Sequence, residues 1–353
     1  MALKVVFCWA DISGYMVACW QALHQISEID VFVIAFQART ETAFSDQLMQ
    51  GIPCRLLDIQ ERQDANLIKR LVLAESPDVI VLCGWLHKPY RQLAFAWEFR
   101  EVALIMTMDT PWRGNWKQYL APLFLRPYLQ CINSVVVAGE RSWQYASRLG
   151  IEPANIAHGV YGIDYHAWSP LWEQRLKSQW PRSFLFVGRY VAVKAVDVLV
   201  EAYQIYRSQV SNPWALVCCG QGQLESHLQG KPGIENRGFL QPSEMQTIWQ
   251  SVEAAAAGLP IICTDVCGSA VEVLRPWYNG LTIPKENPKA LARAMLTLHQ
   301  HYAELPTWGK RSQQLAAPYA ANIWAIRWQE LLHNIHHIKR VKDNTNSMVA
   351  EDL

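Results

Sequence analysis

The first half of the chain alternates short unbroken apolar runs with longer segments whose apolar positions recur at helical spacing. LKVVFCW, DVFVIAF, PDVIVLCGW, VALIMTM and SVVVAG carry almost no polar alternation. That pattern marks strands covered on both faces, as in a parallel sheet. Between them, ANLIKRLVLAE sets Leu67, Ile68, Leu71 and Val72 on one side of a helix, and another helix is expected over about Tyr15–Gln25. Strands alternating with helices predict a parallel sheet wrapped by helices.

After Gly162–Ser183, a stretch with two prolines and scattered tryptophans, the pattern restarts. FLFVG, WALVCCG, NRGFL and PIICTDV read as strands, with helices at about Val196–Arg207, Glu244–Gln250 and Pro288–His301. A last helix, about Asn322–Arg340, precedes the polar tail VKDNTNSMVAEDL, of a kind that is usually disordered. The expected layout is a first domain over 1–165, a connection over 166–182, a second domain over 183–321, a helix over 322–340 and a tail over 341–353. The fold class is α/β: two Rossmann-like, doubly wound parallel-sheet domains facing across a cleft.

Length and composition agree with this picture and exclude several functions. A chain of 353 residues, 51% apolar and 18% charged, suits a globular protein with more than one core. A net charge of +1 lacks the basic excess of nucleic-acid binders. Nine cysteines sit mostly inside apolar runs, as reduced buried thiols do, and no set stands at zinc-ligand spacing, so no metal site is expected. Sixteen tryptophans mainly fill cores, with some left for a surface that stacks on a sugar or a lipid headgroup. The apolar run Val5–Ala10 is cut by Asp11, and no uncharged, predominantly apolar run approaches the roughly 18 residues of a spanning helix. A soluble or peripheral protein of the cytoplasm is expected.

The stretch FLFVGRYVAVKAVDVLVEAYQIY carries the clearest chemistry. In open α/β sheets ligands sit beyond the carboxyl ends of the strands. Gly188 lets a ligand approach the backbone there, and the helix from about Val196 offers unpaired N–H groups. Arg189 can fork two donors onto phosphate oxygens, and Lys194 adds a mobile point charge. Together they describe a diphosphate site, against the plainer reading of solvated loop cations.

FVGRYVAVKAVDVLVEAY resembles the start of the second domain in the family-4 retaining glycosyltransferases of GT-B fold. GVYGIDYHAWSP, LVCCGQGQLE and NRGFLQPSEM follow the family's order, and EAAAAGLPIICTDVCGSAVEVLRPWYNGLTIP is the most specific match. The resemblance covers most of Phe184–His301 well and the first half loosely. It implies a nucleotide-diphosphate sugar as donor, with Arg189, Lys194 and Gly188 on the diphosphate. It also implies Glu253 on the ribose, as the second acid of a Glu-x7-Glu motif, and Gly14 in the first βα turn close to the donor. No cofactor is implied, transfer is expected with retention, and cations with helix dipoles replace a metal.

Two departures stand out. Trp249–Val252 runs directly into Glu253, where the family places a strand, a loop and the first Glu of its motif. Asp265 and Glu272 are the nearest acids that could take its place. In LIMTMDTPWRGNW, Met108-Asp109 stands where the family often has a histidine near the reacting sugar. Asp109 is accordingly the candidate catalytic contact, against a turn-making role before Pro111.

The acceptor side is expected in the first domain, as a glycan or a lipid-linked sugar. WLHKPYRQLAFAWEFR and PWRGNWKQYLAPLFLRPYL interleave aromatic with basic residues, as segments touching an anionic membrane do. The alternative to a hexosyltransferase-type enzyme is a sugar-nucleotide-binding protein whose transfer is impaired or lost. A dehydrogenase is disfavoured because no Gly-x-Gly-x-x-Gly follows the first strand. His333, His336 and His337 read as a solvated helix face.

Overall fold

A computed structural model describes residues 2–37, 46–240, 252–268 and 270–351. The described residues form two compact units, one built from those of 2–37, 46–163 and 321–351, the other from those of 164–320.

The first unit holds β1 (Leu3–Cys8), α1 (Gly14–His24), β2 (Ile29–Phe36), β3 (Cys54–Leu57), α2 (Ala65–Ala74), β4 (Val79–Cys83) and α3 (Lys88–Leu93). It continues with β5 (Ala103–Met108), α4 (Trp116–Leu129), β6 (Ser134–Val137), α5 (Glu140–Arg148) and β7 (Ile156–His158). The seven strands pair in parallel in the order β3-β2-β1-β4-β5-β6-β7. Alternate residues feed two cores, as a period of two requires. Val5, Phe7, Val79, Val81 and Ile105 face one layer, while Val6, Cys8, Ile80, Leu82 and Met106 face the other.

The C-terminal helix Ala321–Glu351 packs on α1 and closes the first of these layers. Trp324 and Trp328 are buried in it, stacked at 4.9 Å, and donate their indole N–H groups to the carbonyls of Val160 (3.1 Å) and Gly159 (2.9 Å). The helix runs through the polar tail expected from residue 341. VKDNTNSMVAE contains neither proline nor glycine, so nothing in it forces the helix to stop.

The second unit opens with α6 (Tyr165–Trp168) and α7 (Pro170–Lys177), which occupy most of the expected connection. They are packed in place. Buried Arg175 donates to the carbonyls of Ala257 and Gly258, and Trp172 donates to Pro306. Next come β8 (Ser183–Val187), α8 (Val196–Ser208), β9 (Ala215–Cys219) and β10 (Ile234–Asn236), paired in parallel as β10-β9-β8. The strand expected at NRGFL lies earlier in the chain, because Gly238 turns the backbone left-handed (φ +69°) just past Asn236. β11 (Ile261–Thr264) and β12 (Gly280–Ile283) form a separate parallel pair. The helix expected at Glu244–Gln250 lies outside the described residues. α8 and the helix Pro288–Gln300 pack together over both sheet pieces, in a core with Phe184, Tyr203, Leu216, Leu281 and Ile283.

Candidate functional site

In the second unit the carboxyl ends of β8 and β9 are pressed together by glycines. A methyl group at Gly220 would lie 2.0 Å from the Gly188 carbonyl oxygen, and one at Gly222 would lie 2.6 Å from that of Tyr190. Gly188 donates to Cys219 (3.0 Å), Tyr190 to Gln221 (2.9 Å), Leu224 to Tyr190 (2.9 Å) and Gly220 to Gly238 (2.8 Å). Tyr190 is fully buried beneath this lattice, its hydroxyl donating to Asn236 Oδ1 at 2.9 Å. The backbone is thereby held for close approach by a ligand.

From this lattice the chain emerges at Arg189, passes a short turn over Ala192–Lys194, and reverses at Ala195, which is left-handed (φ +49°). α8 then starts at Val196 with no side-chain cap, so its first N–H groups remain available to an anion. Arg189 and Lys194 are exposed, and neither forms an ion pair among the described residues. Gly188, Arg189 and Lys194, singled out in the sequence, therefore stand together at one strand end.

The Lys194 ammonium acts electrostatically on the Cys263 thiol, which is pushed up from the ordinary thiol range by a hydrogen bond with Cys267 and by burial. Asp265 follows β11, exposed, with its amide donating to Ile283 (2.9 Å). Glu272 instead accepts a hydrogen bond from Tyr319 at 2.7 Å, so of the two substitute acids only Asp265 stands at a strand end. The backbone of Glu253 lies in the helix Val252–Ala256, and its side chain is outside the described residues.

Asp109 and Gly14 lie in the first unit, at the carboxyl edge of its sheet. Gly14 opens α1, and Asp109 directly follows β5. The Tyr161 hydroxyl donates to Asp109 at 3.0 Å, and the ring of Tyr15 meets that of Tyr161 edge-on at 5.4 Å. Burial, then the charge of Asp109, push the Tyr161 phenol well above its ordinary value, so it stays protonated and donating. Sequence reasoning missed Tyr161, whose only sign was its place in GVYG, at the end of a segment matched by resemblance. It also missed Tyr190.

Comparison with known proteins adds a partial family match and a fold. Residues 237–301 match the family described as glycosyl transferases group 1. Over 242 residues, 60% of its length, the chain is 25% identical to an exopolysaccharide phosphotransferase of Streptomyces coelicolor, but the match spans only 24% of that protein. Among solved structures, Anabaena HepE in complex with UDP superposes with a TM-score of 0.71 at 14% identity, covering 94% of this chain and 100% of that one. Sucrose-phosphate synthase of Thermosynechococcus elongatus gives 0.71 at 14% identity, covering 95% and 100%. The fold is GT-B. Two Rossmann-like parallel-sheet units, the architecture expected from the hydrophobic pattern, are what these neighbours share with it.

Proposed function

We propose that the protein is a glycosyltransferase that takes a sugar from a nucleotide-diphosphate donor bound at the carboxyl ends of the second unit's strands. The observation that carries this is the cradle itself. A glycine lattice, two exposed cations without ion-pair partners among the described residues and an uncapped helix start converge at the end of β8. Such a set neutralises a diphosphate both as it binds and as it departs. Two supports come from known proteins: the group 1 match, and the neighbour HepE, crystallised with UDP and with UDP-glucose.

In this reading the leaving diphosphate is stabilised by Arg189, Lys194 and the amides of α8, with no metal, and transfer proceeds with retention of configuration. Asp109, held by Tyr161, contacts the donor or acceptor sugar; Gly14 lies at the donor's approach and Glu253 meets the ribose. The acceptor is a glycan or a lipid-linked sugar, and a hexose is the sugar moved.

One observation favours a second reading, nucleotide-sugar binding with weakened transfer. In the sequence Trp249–Val252 runs directly into Glu253, where the family that the chain resembles places the first Glu of its motif. Asp265, beside Lys194's neighbour Cys263 on β11, is then the acid that replaces it.

A thermal-shift panel of nucleoside diphosphates and their sugars separates the readings when paired with a donor-hydrolysis assay. A ligand of the native state raises the melting temperature, by about 2.7 kcal/mol of stability at a hundredfold excess over Kd. A shift with turnover supports transfer, and a shift without turnover supports the second reading. Arg189→Ala/Lys194→Ala is expected to abolish the shift, and an undiminished shift in that variant removes the cradle as the donor site.

A further inference from the structure

Helix α4 is apolar on two faces, and among the described residues only one of them is covered. Leu125, Tyr128 and Leu129 point into the core of the first unit. Trp116, Tyr119, Leu120, Leu123 and Phe124, spaced as i, i+3, i+4, i+7 and i+8, form a second stripe turned to solvent. Trp116 is 68% exposed, Tyr119 66%, Leu123 71% and Phe124 78%. Isolated exposed apolar side chains are ordinary, but a contiguous stripe of this size marks an interaction surface.

Exposed apolar side chains continue beyond the helix. Phe95 meets the ring of Tyr128 at 6.4 Å, so the turn after α3 abuts α4. That turn presents exposed Phe95 and Trp97, with the Arg100 guanidinium lying 3.8 Å over the Trp97 ring. The turn after α3 thus lies beside α4, on the side of Tyr128, and adds its own exposed apolar residues.

The charges around this face decide what covers it. Residues 110–139 contain Arg113, Lys117 and Arg126 and not one Asp or Glu. All three cations are exposed. In the neighbouring segment, Trp85–Arg100, the one acid is Glu98, and it is already paired with Lys69 at 2.8 Å. Glu101 pairs with Arg100 at 3.2 Å and Glu152 lines a cavity with Leu123 and Arg126, so the rim is not of one sign; with a net charge of only +1 for the whole chain, the excess of cations along it is still a local feature. Long basic side chains can keep their heads in a headgroup layer while their stems lie along apolar surface, and Trp and Tyr favour the same depth. The cores of protein interfaces, by contrast, are depleted in lysine.

We propose that the α4 face and the adjoining Phe95–Arg100 turn dock the protein on an anionic lipid surface. Trp116, Leu123 and Phe124 enter the headgroup–acyl boundary, and Arg113, Lys117 and Arg126 meet the lipid phosphates. The argument stands on the first unit alone and does not rest on sugar transfer.

The test is flotation of the full chain with phosphatidylcholine vesicles and with vesicles of phosphatidylcholine and phosphatidylglycerol. It is run at low salt and near 1 M salt, where the screening length falls to about 3 Å. Binding is expected only to the anionic vesicles, and salt should weaken it. Leu123→Glu/Phe124→Glu is expected to cut partition by about tenfold or more, since charged substitutions oppose entry into the apolar layer. Both positions are exposed, so the melting temperature and UDP affinity of this variant should match the parent. Arg113→Gln/Lys117→Gln/Arg126→Gln is expected to remove the preference for anionic lipid. The proposal is overturned if neither vesicle floats the protein, or if Leu123→Glu/Phe124→Glu floats as well as the parent. It is equally overturned if light scattering shows a dimer that this variant dissolves while vesicles leave the parent in solution, because the face then covers a second copy of the chain.

Discussion

Gly220→Ala tests whether the glycine lattice in the second unit is what shapes the nucleotide cradle. The added methyl would sit 2.0 Å from the Gly188 carbonyl oxygen and 3.1 Å from the Tyr190 ring, where ordinary contact begins at 3.4 Å. Relief requires the ends of β8 and β9 to part by about 1.4 Å, and both obstacles are backbone or buried ring, so neither can swing aside. The backbone at Gly220 is also at φ +153°, which side chains seldom adopt. Overpacking of this kind costs about 1–3 kcal/mol and a sparsely populated backbone about the same again. At roughly 2–4 °C per kcal/mol for a unit of this size, the melting temperature should fall by about 4–24 °C. Parting the loops also shifts Arg189. Loss of one charge-assisted hydrogen bond, about 1.5–3 kcal/mol, should weaken UDP about tenfold to a hundredfold by calorimetry well below the melting point. Gly268→Ala is the control for stability: its Cβ meets nothing within 4 Å and its backbone is not left-handed, so melting should move by no more than about 2 °C. An unchanged melting temperature for Gly220→Ala refutes the packing argument. A lowered one with undiminished UDP affinity refutes the placement of the nucleotide.

Trp328→Ala removes a buried ring that touches Phe7 at 5.5 Å and Trp324 at 4.9 Å, and it orphans the Gly159 carbonyl. A loss of about 3–5 kcal/mol is expected in denaturant melts, confined to the transition that UDP does not stabilise. Tyr161→Phe deletes the donor to Asp109 on an exposed carboxylate, so stability should change by no more than about 1 kcal/mol while turnover falls about tenfold, read by steady-state kinetics beside a thermal melt. Burial raises the phenols of Tyr90, Tyr128, Tyr161 and Tyr190 above their ordinary value of 10.0. The native state therefore keeps protons that the unfolded chain releases. The stability due to these groups is complete below about pH 10 and drains away as the pH rises further. Tyrosinate absorbance from these four should appear together with unfolding; a smooth native titration near pH 10 would contradict their burial.

In the first unit the strands that the hydrophobic pattern revealed are the inner ones. β1, β2, β4, β5 and β6 are sheathed on both faces, so their sequences are unbroken apolar runs. The edge strands β3 and β7 were not legible, because CRLL and IAH pair on one side only and expose Arg55 and His158. In the candidate site, Gly188, Arg189 and Lys194 were legible because one loop carries all three. The Tyr161–Asp109 pair was not, since 52 residues separate its members and only the order of the sheet brings them to one edge. Ala195 in a left-handed conformation leaves no mark in composition, as that position ordinarily belongs to glycine. The docking of the last helix on the first unit was equally silent, although the tryptophans that accomplish it were conspicuous.

The two units differ in how their strands are held, and this bears on the cradle. In the first unit β5 and β6 are buried at every residue, each paired along both edges. In the second, Leu185, Phe186 and Val187 of β8 and all of β11 are only half-buried, and each strand has one partner among the described residues. A backbone edge without a neighbouring strand must find its hydrogen bonds elsewhere, from water or from other chain. β8 is then located by β9 on one side and by the α8 layer beneath, where Phe184 and Tyr206 pack at 5.1 Å. Among the described residues its carboxyl end, from which Arg189 projects, pairs with β9 alone. The Gly188–Gly220 and Tyr190–Gly222 contacts constrain it further. Where two ladders hold a strand, loosening one loop contact is absorbed by the other. Where one does, the same change travels directly to the cationic loop, so perturbing these glycines should lower nucleotide affinity together with stability.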